Sequence, residues 1–264
     1  MAIKLGDYEV RFARSLQERS QVRALRYKCF IEEDGASATE EQRKLREEWD
    51  AWDVFAKYLT VFHKDKVVGV YRIIDSKAAE KMGGFYSESE FDISKIKNSD
   101  RNIAEMSRAC VDPAYREKNI VLRLLWMGLD EYIKKNKIDI LFGMASWTGT
   151  NPEKSAHALS YLYHNHLSPL DLRTKIDTEK LAKDINPKLT KLNLLPKDKL
   201  DIKSVRREMS PLIKGYLNLN ATIGDGVFID KKFNSYEVLV VLQTADINPQ
   251  YREMLLSLLK RRAH

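Results

Sequence analysis

The chain has few cysteines, few glycines and no long apolar run, and each shortage excludes something. Only Cys29 and Cys110 are present in 264 residues. Both sit among apolar neighbours, so two reduced core thiols in a cytosolic protein are expected rather than a disulfide scaffold. No stretch approaches the ~20 apolar residues that span a bilayer. The start of the chain lacks the apolar core of a signal peptide, so no secretory leader is expected. None of the eleven glycines builds a phosphate-cradling Walker loop. No His or Cys pair has a convincing metal spacing; His164-Asn-His166 comes nearest, and no metal site is expected. Helix-turn-helix, zinc-finger and aromatic-basic RNA motifs are missing, which puts nucleic acid last among partners.

What the chain has is charge. Forty-five Lys and Arg stand against thirty-eight Asp and Glu, a net charge of +7. That balance favours an acidic partner, either an anionic membrane surface or an acidic carrier protein. The length suits one large domain. Tyr8 to Ala13 alternates as a strand. Ser15 to Phe30 reads as a helix with Leu16, Val22, Leu25 and Phe30 on one stripe. Glu32 to Glu48 is so densely charged that it reads as a solvated helical face. Tyr58–His63 and Lys66–Ile74 form a hairpin across Lys64–Asp65. Ala114–Asn136 is a helix, Ile138–Trp147 a strand buried on both faces, and Glu153–Asn165 a helix. A segment of about 168–209, rich in Lys, Asp and Pro, reads as an insertion of short helices and loops. Leu212–Leu219 (helix), Tyr236–Leu242 (strand) and Asn248–Arg262 (helix) follow. The order predicts an α/β fold with a mixed central sheet flanked by helices.

The strand Asn102–Val111 breaks its own pattern. Ile103, Met106, Ala109, Cys110 and Val111 make it apolar, yet Glu105, Ser107 and Arg108 interrupt it. Opposite charges in a central strand are costly to bury unless paired, and sequences break local rules where they work. On an ideal strand Glu105 and Ser107 share one face and Arg108 points to the other, unless a bulge shifts the phase. Glu105 then reads as a general base, and Arg108 as an organiser paired with Asp50 or Asp53. Arg26, at a helix end, and Arg72, near a strand end, each have a bland reading as a cap or surface charge. Cys110 looks buried and reads as core packing.

In order along the chain stand Arg26-x-x-x-Phe30, Trp49-Asp50-x-x-Asp53, Val68-Gly69-x-x-Arg72 and Glu105-x-Ser107-Arg108. This series resembles the acyl-homoserine-lactone synthases, a branch of the GNAT acyltransferases. Phe30-Ile-Glu-Glu-Asp-Gly-Ala, Ala104-Glu-Met-Ser-Arg-Ala-Cys-Val, Phe142-Gly-Met-Ala-Ser-Trp and Pro211-Leu-Ile-Lys-Gly-Tyr-Leu resemble more closely the ornithine lipid acyltransferases, often labelled hemolysin-like. The resemblance covers roughly residues 8 to 250. It implies a single GNAT-like domain over 1–264, with the inserted segment at about 168–209. It also implies transfer of a long, 3-hydroxylated acyl chain to the α-amino group of ornithine. Glycine or another amino acid stays open as acceptor, and a non-catalytic acyl-binding module is the reading from another class.

The same resemblance implies a site of Glu105 and Tyr216 in catalysis, with Arg26, Phe30, Asp50, Asp53, Arg72, Ser107, Arg108 and Cys110 around the substrates. The backbone of Ser107–Cys110 would cradle an oxyanion. No cofactor is bound; the acyl-phosphopantetheine of acyl carrier protein is the donor. Where CoA-using GNAT proteins carry a glycine-rich pyrophosphate loop, this chain reads Arg116-Glu-Lys-Asn-Ile-Val121 without glycine, which points away from CoA. Arg116, Lys118 and Arg123 either meet the carrier and its phosphate or are exposed helix-face charges. Tyr216 is either the acid for the leaving thiolate or a core tyrosine. The amino-acid carboxylate falls to Arg72, Arg26 or Lys214. The Leu-rich basic helix at the end either docks on the core or lies on an anionic membrane at the inner face.

Overall fold

The computed structural model describes residues 2–117, 119–183 and 185–260. In chain order its strands are β1 (Ala2–Leu5), β2 (Tyr8–Phe12), β3 (Lys57–His63), β4 (Lys66–Asp75), β5 (Phe91–Asp92), β6 (Ile103–Val111), β7 (Ile140–Thr148), β8 (Lys175–Ile176), β9 (Thr222–Ile223), β10 (Phe228–Asp230) and β11 (Ser235–Gln243). Its α-helices are α1 (Leu16–Arg26), α2 (Glu40–Leu45), α3 (Ser76–Met82), α4 (Ser94–Lys97), α5 (Ile120–Asn136), α6 (Ala156–His166), α7 (Ile202–Glu208), α8 (Pro211–Asn218) and α9 (Pro249–Lys260). The α/β class is as expected. The chain packs as two compact units.

The first unit draws on Met1–Gly84, Ala104–Ile138 and Pro249–His264. Its sheet runs β1-β2-β3-β4-β6, each ladder antiparallel. Helix α1 starts where Ser15 accepts from the Glu18 amide and Glu18 reaches back to the cap, a reciprocal capping box. Its Val22, Leu25 and following Cys29 pack with Tyr58, Phe62, Val70 and Cys110 on one face of the sheet. Helix α5 covers the other face. A Cβ on Gly69 would come within 2.4 Å of Val121 Cγ1, and one on Gly128 within 2.6 Å of Val10 Cγ1, so both glycines mark close approach. Helix α9 docks on α5, with Tyr251 edge-on to Trp126 at 6.4 Å and Arg252 paired with Asp130 at 2.5 Å. The docking reading of that helix therefore holds for its first turns. Its leucine side chains and Arg261–Arg262 lie outside the described residues.

Two sequence expectations change here. The helix expected to run from Ser15 to Phe30 is α-helical only to Arg26. Tyr27–Glu33 widens into a π-helical stretch, with the Asp34 amide reaching the Cys29 carbonyl five residues back at 3.1 Å. Such widening leaves helical periodicity almost unchanged in sequence, and often marks functional segments. The charged stretch 32–48 is not one solvated helix. Glu32 and Glu33 end the π-helical stretch, only Glu40–Leu45 is α-helical, closed by Arg46 at φ +53°, and beyond it the chain turns Glu48 inward to 3% exposure.

The second unit draws on Phe85–Ile103 and Asp139–Asn248. β7 pairs with β11 over nine residues, β10 and β9 pair with β11, and β5 pairs with β8. β11, buried almost throughout, and β7 form its spine; β7 is buried over Ile140–Gly143 but exposes Ser146 and Thr148, so the expected burial on both faces holds only for its first half. The segment 168–209 holds β8, short 3-10 turns and α7. His164 bonds the Leu195 carbonyl through Nε2, a structural use of that ring. Among the described residues no group of His, Cys, Asp and Glu is placed to hold a metal, and no helix is long and apolar enough to cross a membrane.

Candidate active site

The charged residues singled out in the sequence meet under the α1 face of the first unit's sheet. Arg26, the last residue of α1, is wholly buried. Its Nε lies 2.5 Å from Glu48 and its Nη1 lies 2.9 Å from Asp53. Arg72 of β4, also wholly buried, donates through Nη1 to Asp53 at 3.0 Å and to Asp50 at 2.5 Å. Arg108 donates through Nη2 to Asp50 at 3.0 Å, and its Nε lies 3.5 Å from Glu48. The six side chains close into a ring that alternates in sign: Glu48, Arg26, Asp53, Arg72, Asp50, Arg108 and back to Glu48.

The ring explains how such a strand can be buried. An isolated buried charge costs several kcal/mol, but here every charge has two opposite neighbours and the set is neutral. Burial works to raise the Asp53 carboxyl, and Arg26 and Arg72 outweigh it, holding the group below the ordinary carboxylate range. Burial likewise works to lower the Arg26 guanidinium, and Glu48 with Asp53 raises it instead. The Tyr58 phenol beside them is pushed up to about 12, by burial first and then by the Asp53 charge.

Local sequence builds the acidic side of the ring. Asp50 caps the short turn Ala51–Val54, accepting from the Trp52 amide, while Asp53 accepts the Asp50 amide at 3.0 Å. Both carboxylates are thus fixed before they meet an arginine. The Glu48 amide donates to the Arg23 carbonyl of α1 at 3.0 Å, which turns that residue toward Arg26. Glu48 is the member that the sequence reading missed, because it ends a run of exposed acids. Its signal is position: two residues before Asp50 and five before Asp53, where the charged run meets Trp49.

The strand phase needs correcting. In β6 the pairing steps from Val70↔Cys110 to Arg72↔Ser107, so one residue of β4 is matched by two of β6. Arg108 sits in this bulge at φ +51°, left-handed for a non-glycine residue. Regular alternation puts Ser107 and Arg108 on opposite faces. The bulge instead lets Ser107 accept from Arg72 Nε at 2.9 Å while Arg108 reaches Asp50 in the same ring. Glu105 lies in the regular part of the strand, opposite Ile74, and shares a face with Ser107. It is wholly buried.

The remaining candidates separate. Phe30 is half-buried on the π-helical stretch, against the cluster of Cys29 and Cys110. Burial, and the neighbouring Cys29, push the Cys110 thiol well up, so its side chain is protonated core packing. Arg116 is not an open cation: it grips Glu33 with both terminal nitrogens, at 2.5 and 2.7 Å, and donates to the Val111 carbonyl. Arg123 is exposed on the first turn of α5. Lys118 lies outside the described residues. Tyr216 belongs to the second unit, buried in α8, as does Lys214 on the same helix.

The family model described as "Acetyltransferase (GNAT) domain" matches residues 25–127, which hold the whole ionic ring and Glu105. The fold is similar to that of a CoA-dependent acyl-homoserine lactone synthase, with a TM-score of 0.51 at 12% identity over 95% of this chain and 89% of that one. Curated relatives narrow the class. An L-ornithine N(alpha)-acyltransferase of Rhizobium meliloti is 35% identical over 94% of this chain and 84% of its own. One of Rhodobacter capsulatus is 32% identical over 96% of both. The chain belongs to the L-ornithine N(alpha)-acyltransferase family.

Proposed function

We propose that this acyltransferase moves a long acyl chain, 3-hydroxylated in its natural form, from the phosphopantetheine thioester of acyl carrier protein to the α-amino group of ornithine. The observation that carries the reading is likeness over nearly the whole chain to relatives of that named activity, joined with a wholly buried Glu105 on the face of the bulged strand that meets the ionic ring. A free α-amino group titrates near ~8, so a positioned base is needed at neutral pH. Glu105 takes the proton, directly or through a water, as the amine attacks the thioester carbonyl. The new C–N bond forms, the oxyanion develops against backbone amides of Ser107–Cys110, and the C–S bond breaks. The leaving thiolate takes its proton from solvent. No covalent acyl-enzyme is required.

The ring has a supporting role. It holds Arg72 and Arg108 rigid through two carboxylates each, which fixes the bulge and with it the amides that face the oxyanion. The donor is assigned from the glycine-free turn 116–121 and from the +7 charge, which suits an acidic carrier. Arg123 is an exposed cation of that region, and Arg116 acts there by bracing the turn to Glu33.

The test is a purified reaction read by mass spectrometry, with ornithine and glycine in competition and the same acyl group offered on carrier protein or on CoA. The expected product is N-acylornithine formed from the carrier thioester. Preferential acylation of glycine overturns the acceptor, and equal rates from CoA overturn the donor.

A further inference from the structure

An apolar projection stands beside the ionic ring, on the outside of the first unit. Val54 and Phe55 directly follow Asp53, whose carboxylate points inward, yet they are 70% and 41% exposed. Leu16, in the first turn of α1, is 86% exposed. Arg19, one helical turn after Leu16, donates to the Asp53 and Ala56 carbonyls at 3.2 and 3.3 Å, which seats that face of α1 against the turn carrying Val54 and Phe55. Lys81 lies over the Phe55 ring at 5.4 Å, which brings the last turn of α3 to the same place.

Core burial does not explain three large apolar side chains presented to water on a tight turn and a helix start. Their rim is cationic: Lys81, and Lys77 four residues before it on the same exposed face of α3. The acids nearby are largely committed. Asp75 pairs with Lys57 at 2.5 Å, Glu18 with Arg11, and Asp53 is closed into the ring; Glu80 is the exposed acid left on α3. A convex apolar tip with a basic rim matches a lipid surface of negative charge, where side chains enter the acyl boundary and lysines meet headgroups.

We infer that Leu16, Val54 and Phe55 form a docking site for an anionic bilayer. The inference goes beyond the acyl-transfer reading and assigns the membrane contact to this tip rather than to the basic end of α9.

The test is flotation of the full chain with vesicles of phosphatidylcholine, with and without phosphatidylglycerol as the anionic lipid. The expected result is retention on the anionic vesicles only, weakened by salt. The double variant Leu16→Glu/Val54→Glu should lose that retention by about tenfold or more, while Lys260→Glu/Arg261→Glu/Arg262→Glu keeps it. Circular dichroism confirms that both fold, which their exposed positions favour. Wild-type failure to float, equal flotation of the double variant, or loss in the C-terminal variant alone each overturns the inference. So does a double variant that floats normally but binds acyl carrier protein more weakly, because the tip would then be a protein site. Turnover with soluble substrates is scored separately, so vesicle binding without acyl transfer would remove the proposed reaction and leave the docking site standing.

Discussion

The two faces of the first unit's sheet solve burial in opposite ways. Under α5 the surface is apolar and tight, with Gly69 and Gly128 admitting Val121, Val10 and Leu59 at distances that leave no room for a Cβ. Under α1 it begins as an ordinary apolar cluster of Val22, Leu25, Phe62 and Val70, then gives way to three arginines and three carboxylates with little or no exposure. Replacing a buried ion set by well-packed apolar groups is often neutral or stabilising, so the ring is not the cheaper way to fill that volume. A fold that packs one face by shape alone and wires the other by charge spends the second face on positioning.

Three experiments separate the faces. Glu105→Gln, on the charged side, should lower turnover by about 10²- to 10⁴-fold, the usual worth of a general base, with an unchanged melting profile. Near-normal turnover would remove Glu105 from the reaction.

Next is Asp53→Asn, which leaves Arg26 and Arg72 short of a shared carboxylate and should cost about 3–5 kcal/mol in urea unfolding. It should also change the acid limb. The folded pKa of Asp53 lies below its unfolded value near ~3.9, so its contribution is complete above that pH and drains away as pH falls toward the folded value. The variant should therefore lose stability less steeply below about pH 4. Asp112 keeps its own share in both proteins, being held at about 2 against burial by Lys28 and Lys66. Identical acid limbs would sink the ring's electrostatic role.

The smallest effect is expected from Gly69→Ala, on the apolar side. Its Cβ meets Val121 Cγ1 and should cost about 1–3 kcal/mol by overpacking. Val121→Ala in the same chain should recover most of that, and turnover should barely move. A turnover loss as large as that of Asp53→Asn would mean the two faces are not divided as described.

Much of the charged face was legible because arginine and acids interrupt apolar patterns. Glu105 and Arg108 could be named from that conflict, with Asp50 or Asp53 as the partner of Arg108; Arg26 and Arg72 kept a bland reading as cap and surface charge and entered the site only through the resemblance. Glu48 could not be named, since a run containing Glu40, Glu41, Glu47 and Glu48 offers no contrast, and what turns one of them inward is a hydrogen bond to Arg23 from a distant helix. A pairing of Arg108 with Asp50 or Asp53 was anticipated, and the structure selects Asp50; its face was not anticipated, because strand alternation fails at a bulge that only the neighbouring strand's register creates. Arg116 looked like an open cation because its partner, Glu33, lies 83 residues away.

By itself, the sequence determined the alternation of elements and the Val22 and Leu25 side of α1, since each depends on residues a few positions apart; Leu16, expected on the same stripe, is instead 86% exposed. The closing of the ring, the left-handed Arg108, the inward turn of Glu48 and the exposure of Val54 and Phe55 were decided by tertiary structure. Each depends on which remote group arrives to satisfy a charge or cover a surface, and local spacing carries no record of that arrival.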